Sequence, residues 1–237
     1  MERKKHLSFK NNFSLIRKGE TRYPLKAYLI ACEGICTEPN YINGLVRYEK
    51  ANRRIADGTV VKIAPHQHSD PYGVLEDLLR TPNKSSYDEC WIVIDRDETE
   101  LKGKGFGGHS EENFNKVLDE SKKNGVEVAC SNPCFELWIV LHFEFRDTAC
   151  TREAIQKKAL EKVNSILPKE KQLKKVDELK AIENLYDLLR DKVIIAIRNA
   201  EKLKLNESNK SNPSSGMYKL LNSLLQQEFI YPINHGY

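Results

Sequence analysis

No run of apolar residues in this 237-residue sequence approaches the roughly 20 that a bilayer-crossing helix needs. A chain without membrane contact is therefore expected. The N-terminus is basic but lacks the apolar stretch of a signal sequence, so a cytoplasmic location is expected. Cysteine is sparse: six residues do not suggest a disulfide scaffold and fit reduced thiols in a cytosolic protein. There is no GxxxxGK[ST] loop, so the chain carries no such nucleotide-phosphate cradle of its own. Internal repeats and long low-complexity segments are also missing.

What is present is enough apolar material for a real core, at 40% of residues, with 30% charged residues distributed unevenly. Residues 1–26 carry eight Lys/Arg against two acids (+6), residues 27–150 carry 14 against 21 (−7), and residues 151–237 carry 16 against 11 (+5). An acidic middle between basic ends suits a protein that acts on a polyanion, while for the tail alone solvated surface charge explains the pattern as well.

The apolar runs at 26–33, Val60–Ala64, Cys90–Asp95 and Val126–Cys130 predict four strands. Between them lie helical patterns. The first opens at Thr37-Glu38-Pro39, where Thr37 is a candidate cap, and the second at Asp70-Pro71. The third is ended by Asn124-Gly125, and a fourth opens at Asn132-Pro133. Strands alternating with helices predict a parallel α/β sheet of about four strands flanked by helices. From about residue 151 the apolar period becomes helical: Val176 to Ile197 predicts one long helical segment, and Met217 to Leu224 another. The expected organisation is a basic arm over 1–25, an α/β domain over 26–150 and a helical region over 151–237. Leu101 to His109 holds four glycines and reads as a mobile loop.

Two of the strands end in acids. Tyr28-Leu29-Ile30-Ala31-Cys32 runs into Glu33-Gly34 and on to Glu38, and Trp91-Ile92-Val93-Ile94 runs into Asp95-Arg96-Asp97-Glu98. Acids gathered at the carboxyl ends of parallel strands repel one another unless a cation sits between them, and oxygen ligands suit Mg²⁺ or Mn²⁺. In extended geometry Asp95 and Asp97 point one way and Arg96 the other. Such acids also cap loops and helices, the plainer explanation of each alone. Glu136 lies among Phe135, Leu137 and Trp138, where its charge needs a partner. It reads as an additional metal-site acid or as a first-turn capping acid. His142 reads as a packed core histidine, and His66 and His68 as a surface pair. Cys32-x₃-Cys36 and Cys130-x₃-Cys134 invite a zinc site, but Cys32 and Cys130 end strands and read as buried small residues. Lys202, Lys204 and Lys210 with Ser211-Asn212-Pro213-Ser214-Ser215 read as a capped loop or a phosphate contact, with Pro213-Ser214 starting a helix.

Glu33-Gly34 after one strand and Asp95-Arg96-Asp97 after another resemble the Toprim domain of topoisomerases, primases, OLD-family nucleases and related RNases. The strings ACEGICTEPNY, WIVIDRDE and SNPCFELWIVLHFE together look like the RloB-like (AbiLii-type) proteins of prokaryotic phage defence, over roughly residues 10–225. That resemblance implies a Toprim-like fold and a Mg²⁺-dependent nuclease acting on DNA or RNA in abortive infection. It implies that Asp95 and Asp97 are metal ligands and that Glu33 binds metal or serves as general acid/base. Glu38 is the nearest match to a second acid of that pattern, although its spacing is one residue longer than in OLD nucleases. An ATPase companion from a defence operon is also implied, and oligomerisation is left open. The rival expectation is a non-catalytic module that binds nucleic acid or a nucleotide, or serves as a partner scaffold. A nucleotidyl-transferase or primase-like activity would share the metal chemistry.

Overall fold

The computed structural model describes residues 25–96, 111–204 and 212–230. The basic arm, Asp97, Glu98, the Leu101–His109 loop, Lys210 and Ser211 lie outside these residues. Four strands run parallel: β1 (Ala27–Cys32), β2 (Val60–Ile63), β3 (Glu89–Asp95) and β4 (Val126–Asn132). A fifth, β5 (Ser214–Ser215), pairs antiparallel with β4, giving the order β2-β1-β3-β4-β5. β1 and β3 are central and buried on both faces, so they read as unbroken apolar runs. β2 lies at an edge and alternates.

The four parallel strands match the expectation of about four, and the fifth extends the sheet. Ser214 and Ser215 carry no apolar side chain, so no hydrophobic pattern announces them. They join the sheet by pairing with Asn132 and Ser131, and Gly216 N–H donates to the Cys130 carbonyl at 2.7 Å. The backbones pass so close there that a Cβ on Gly216 would collide with Cys130 N at 2.8 Å. Pro213-Ser214 therefore starts a strand, and Gly216 occupies the N-cap of the following helix.

Helices cover both faces. α2 (Pro71–Leu79) and α3 (Glu111–Lys123) pack on the face formed by Leu29, Ala31, Cys90, Ile92 and Ile94. Asp70 caps α2 by accepting from Gly73 N at 3.0 Å, and Gly125, with φ +63°, follows α3 as its spacing predicts. The opposite face, with Tyr28, Ile30, Trp91 and Val93, carries α1 (Thr37–Ala51), α4 (Glu136–Leu141) and α5 (Arg152–Asn164). The same apolar cluster includes α6 (Val176–Lys180), α7 (Leu185–Leu189), α8 (Val193–Lys204), α9 (Met217–Leu224) and α10 (Gln227–Ile230). Residues beyond 151 thus share a core with the sheet and supply one of its strands. The long helical period from Val176 is cut into α6, α7 and α8. It survives as a pattern because all three bury their apolar positions, Leu179, Leu185, Leu189, Val193 and Ile197.

Two helix starts differ from expectation. Cys36, not Thr37, occupies the N-cap of α1, and no side chain caps it. The Thr37 hydroxyl instead donates to the Lys180 carbonyl at 3.3 Å. Asn132 still belongs to β4, and α4 begins only at Glu136, after the cis Asn132–Pro133 peptide.

Candidate functional site

Parity along β3 decides which way its last residues face. Trp91 and Val93 point to the larger core, so Asp95 points there too, while Arg96 turns to the other face and lies over the Phe114 ring at 4.5 Å. Asp95 is buried at the strand end. Neighbouring β1 ends at Cys32, and the chain continues in register for one residue: Glu33 N–H donates to the Val93 carbonyl at 2.9 Å. The Glu33 side chain then crosses the strand ends, and its Oε2 accepts from the Asp95 N–H at 2.9 Å. The two acids that end β1 and β3 are thus joined directly.

Gly34 lets the chain double back. A Cβ there would collide with the Glu38 carboxylate, which lies against the turn from the first helical turn of α1. Glu136, the first residue of α4, enters the same space and is almost wholly buried. Glu33, Glu38, Asp95 and Glu136 line one cleft of about 340 Å³. Burial pushes the Glu38 carboxyl up to about 7, with the charges of Glu136 and Glu33 adding to the shift against backbone N–H groups that lower it.

Among the described residues two cations line the same cleft, and sequence reasoning missed both. Arg152 Nη2 lies 3.6 Å from Asp95 Oδ2, and Lys180 Nζ lies 3.6 Å from Glu136 Oε1. One opens α5 and the other closes α6, and neither position is marked by a motif. Gln156 of α5 lies between them. With its carboxamide oxygen turned toward them, it accepts from Arg152 Nε and Lys180 Nζ at 3.2 Å each. The opposite orientation would set its nitrogen against both cations in return for one 3.5 Å bond to Glu136, so we assign the former.

The loop after β2 closes one side. Asp77, buried on α2, accepts from Gln67 N at 2.8 Å, His68 N at 3.0 Å and His68 Nδ1 at 2.7 Å. Burial works to raise the Asp77 pKa, but these bonds outweigh it and hold the carboxyl below its usual range. The stapled loop brings Ser69 to the cleft and His66 Nε2 to within 3.0 Å of the Glu33 carbonyl. His66 is exposed, as expected, yet touches the backbone of the site, and His68 is half-buried and bonded to Asp77 through Nδ1.

His142 faces away from this chemistry. It is fully buried, its Nδ1–H donates to the Trp138 carbonyl at 2.8 Å, and its Nε2 accepts from the Tyr41 hydroxyl at 3.1 Å. Burial lowers its pKa to about 4. The cysteines are free thiols, with only Cys36 exposed. Among the described residues no three His, Cys, Asp or Glu side chains converge closely enough to form a ready-made metal cage, and Asp97 lies outside them.

The fold and cleft define an α/β protein with a mostly parallel sheet and a carboxylate-lined, cation-flanked cleft at the carboxyl ends of its central strands. The chain belongs to the RloB-like family: the family model described as RloB-like protein matches residues 28–224. No curated protein and no solved structure matches it. No helix among the described residues is long and apolar enough to cross a membrane.

Proposed function

We propose that the protein is a divalent-metal-dependent nuclease with a Toprim-like core, cleaving phosphodiester bonds of DNA or RNA in prokaryotic anti-phage defence. The observation that carries this reading is the charge imbalance of the cleft. Among the described residues four carboxylates and two cations line it, and one acid, Glu38, is crowded enough that its carboxyl is pushed up to about 7. Removing acids from water and facing them toward one another is costly unless a further cation is meant to join them. The donors are all carboxylate oxygens, which fit Mg²⁺ or Mn²⁺. Asp95 and Glu33, with Asp97 and Glu38, would hold the ion, and Glu136 would complete the catalytic set. When bound, such an ion supplies an activated water and neutralises the leaving oxygen. Glu33 is held by the Asp95 N–H, which fixes its carboxylate for metal binding or proton transfer. The protein acts in the cytoplasm, the basic ends of the chain hold nucleic acid by phosphate contacts, and an ATPase companion controls its activity.

The ion pairs of Asp95 with Arg152 and of Glu136 with Lys180 favour a second reading, a non-catalytic module that binds nucleic acid or a nucleotide. One assay separates the two. Plasmid DNA and total RNA are incubated with the protein and its operon partner in Mg²⁺, Mn²⁺ or EDTA. The nuclease reading expects cleavage that EDTA abolishes and that Asp95→Ala lowers by about 10²–10³-fold. Identical behaviour of wild type and Asp95→Ala would sink it.

A further inference from the structure

α8 buries Val193, Ala196, Ile197 and Ala200 and turns Ile195, Arg198 and Lys202 to solvent. Their spacing of three and four residues puts them on one side of the helix, and half-buried Lys192 extends the row. Beside it runs the segment after α4, tied down where Asn199 Nδ2 donates to the Leu141 carbonyl at 2.9 Å. Phe143 packs against the core. Phe145 does not, and among the described residues it is the only exposed aromatic side chain, at 44%. Lys192 Nζ lies 5.6 Å from the centroid of the Phe143 ring, and Lys202 Nζ lies 5.7 Å from that of Phe145. Charge on this face is one-sided. Glu144, between the two phenylalanines, pairs with Lys158 and Lys162 of α5, and Glu201 accepts from Asn222 Nδ2 at 3.1 Å. Asp191 pairs with Arg190 at 3.8 Å, which leaves Asp147 as the other exposed acid of the two segments. Lys192, Arg198 and Lys202 form no ion pair with a carboxylate among the described residues. Isolated apolar side chains on a surface are ordinary, but an exposed ring and an isoleucine set among three cations serve neither packing nor solubility.

We propose that this face of α8, with Phe145 beside it, is a docking surface for single-stranded nucleic acid. A base stacks on the Phe145 ring, and Lys192, Arg198 and Lys202 meet the phosphates on either side of it. Phe143, anchored in the core, holds the segment in place. The proposal rests on the nuclease reading for its ligand class. It adds where the polymer is held and in which form, because a base inside a duplex is already stacked and offers no free face to Phe145. α4 joins this surface to the cleft: it begins at Glu136 and its six residues span about 9 Å, so one short strand can occupy both. Stacking and phosphate contacts do not read the sugar, so single strands of DNA and RNA should bind alike.

The test is anisotropy titration of the full chain with fluorescein-labelled 24-mers: single-stranded DNA, single-stranded RNA and duplex DNA. EDTA is present in the binding arm, and a parallel arm follows cleavage in Mg²⁺ with the operon partner. Phe145→Ala is expected to weaken single-strand binding about 10-fold, and Phe145→Trp to restore it. Phe145→Leu keeps apolar surface but loses the ring, so it should bind like Phe145→Ala. The double variant Arg198→Gln, Lys202→Gln should reduce the salt slope by about 1.4, the value for two phosphates of a single strand. Duplex should bind more weakly and be indifferent to Phe145→Ala. All these side chains are exposed, and melting temperatures within a few degrees of wild type confirm that the variants fold. Wild-type affinity in Phe145→Ala or Phe145→Leu, an unchanged salt slope in the double variant, or no binding of any polymer overturns the docking surface. Loss of the protein partner from Phe145→Ala with unchanged single-strand affinity also overturns it and gives the face to that partner. Binding that depends on Phe145 without any cleavage sinks the nuclease reading but keeps the surface. Cleavage with unchanged KM in both variants does the reverse.

Discussion

Glu38 and Glu49 lie on the same helix, three turns apart, and water scarcely reaches either: they are 5% and 0% exposed. Their surroundings differ completely. Glu49 is met by Arg54 Nη1 at 3.2 Å and by the Tyr186 hydroxyl, so its charge is answered within the core. Glu38 faces Glu136 and Glu33 and takes backbone N–H groups of Gly34 and of its own residue. A buried carboxylate that serves the fold is paired where it stands, because an uncompensated charge in the interior is too costly to keep. A buried carboxylate set among other acids has its pKa raised instead, as Glu38 does. The two ends of α1 illustrate both outcomes on one scaffold, and each can be tested by breaking it.

The largest effect is expected at Glu49. Glu49→Ala strips Tyr186 of its acceptor and leaves the guanidinium of Arg54 half-buried without its carboxylate. A loss of about 3–4 kcal/mol is expected in urea unfolding. Nucleic-acid affinity per folded molecule should stay unchanged. If stability fell by less than about 1 kcal/mol, the claim that this acid is structurally paired would fail.

His142 is another buried titratable group of the core and sharpens the contrast through pH. Its folded pKa, about 4, is depressed below the 6.5 of an ordinary histidine. Above pH 6.5 it is neutral whether folded or not, and its full contribution is present. As pH falls toward 4 the unfolded chain takes up a proton that the folded one refuses, and stability is lost. Between pH 7 and pH 4 wild type should lose about 2–3 kcal/mol more than His142→Gln, which can still donate to the Trp138 carbonyl and accept from Tyr41. Equal slopes in urea titrations at the two pH values would contradict the buried, neutral imidazole.

The acid half of the cleft was readable because strands leave a strong signature. An apolar run ending in Glu33 or Asp95 marks both the element and its chemical end, and period-two alternation even gives the side on which Arg96 lies. Glu38 and Glu136 were visible as acids beside those ends, but their convergence depends on how α1 and α4 pack. The cation half was not legible. Arg152 and Lys180 look like any surface helix charge, and the bonds that hold Lys180 over the cleft join residues well over a hundred positions apart, such as Thr37 with Lys180. β5 was missed for a related reason: backbone pairing, not side-chain pattern, makes Ser214–Ser215 a strand. Sequence periodicity reports burial, so it finds what the core needs and is silent on polar groups positioned by long-range packing.

The smallest expected effect is at Glu38, and it carries the opposite pH sign to His142. Its folded pKa, about 7, stands above the 4.5 of an ordinary glutamate. Below pH 4.5 the carboxyl is protonated in both states and costs nothing. As pH rises toward and through 7 the unfolded chain ionises first, and the folded state pays for a charge it holds poorly. Glu38→Gln removes that charge and keeps the shape, so at pH 8 in EDTA the variant should be more stable than wild type by about 2 kcal/mol, a gap that closes by pH 4.5. Part of the shift comes from the charges of Glu136 and Glu33, and relaxation around them holds the gain below the full single-group value. If the proposed metal site exists, excess Mg²⁺ should stabilise wild type and narrow the difference at pH 8, because a ligand of the folded state alone shifts its stability. A substitution at a paired acid such as Glu49 would show neither the alkaline gain nor its reversal by metal. Melting curves of the two proteins at pH 4.5 and pH 8, with and without Mg²⁺, measure all three terms, and a variant no more stable than wild type at pH 8 would show that Glu38 is answered within the fold after all.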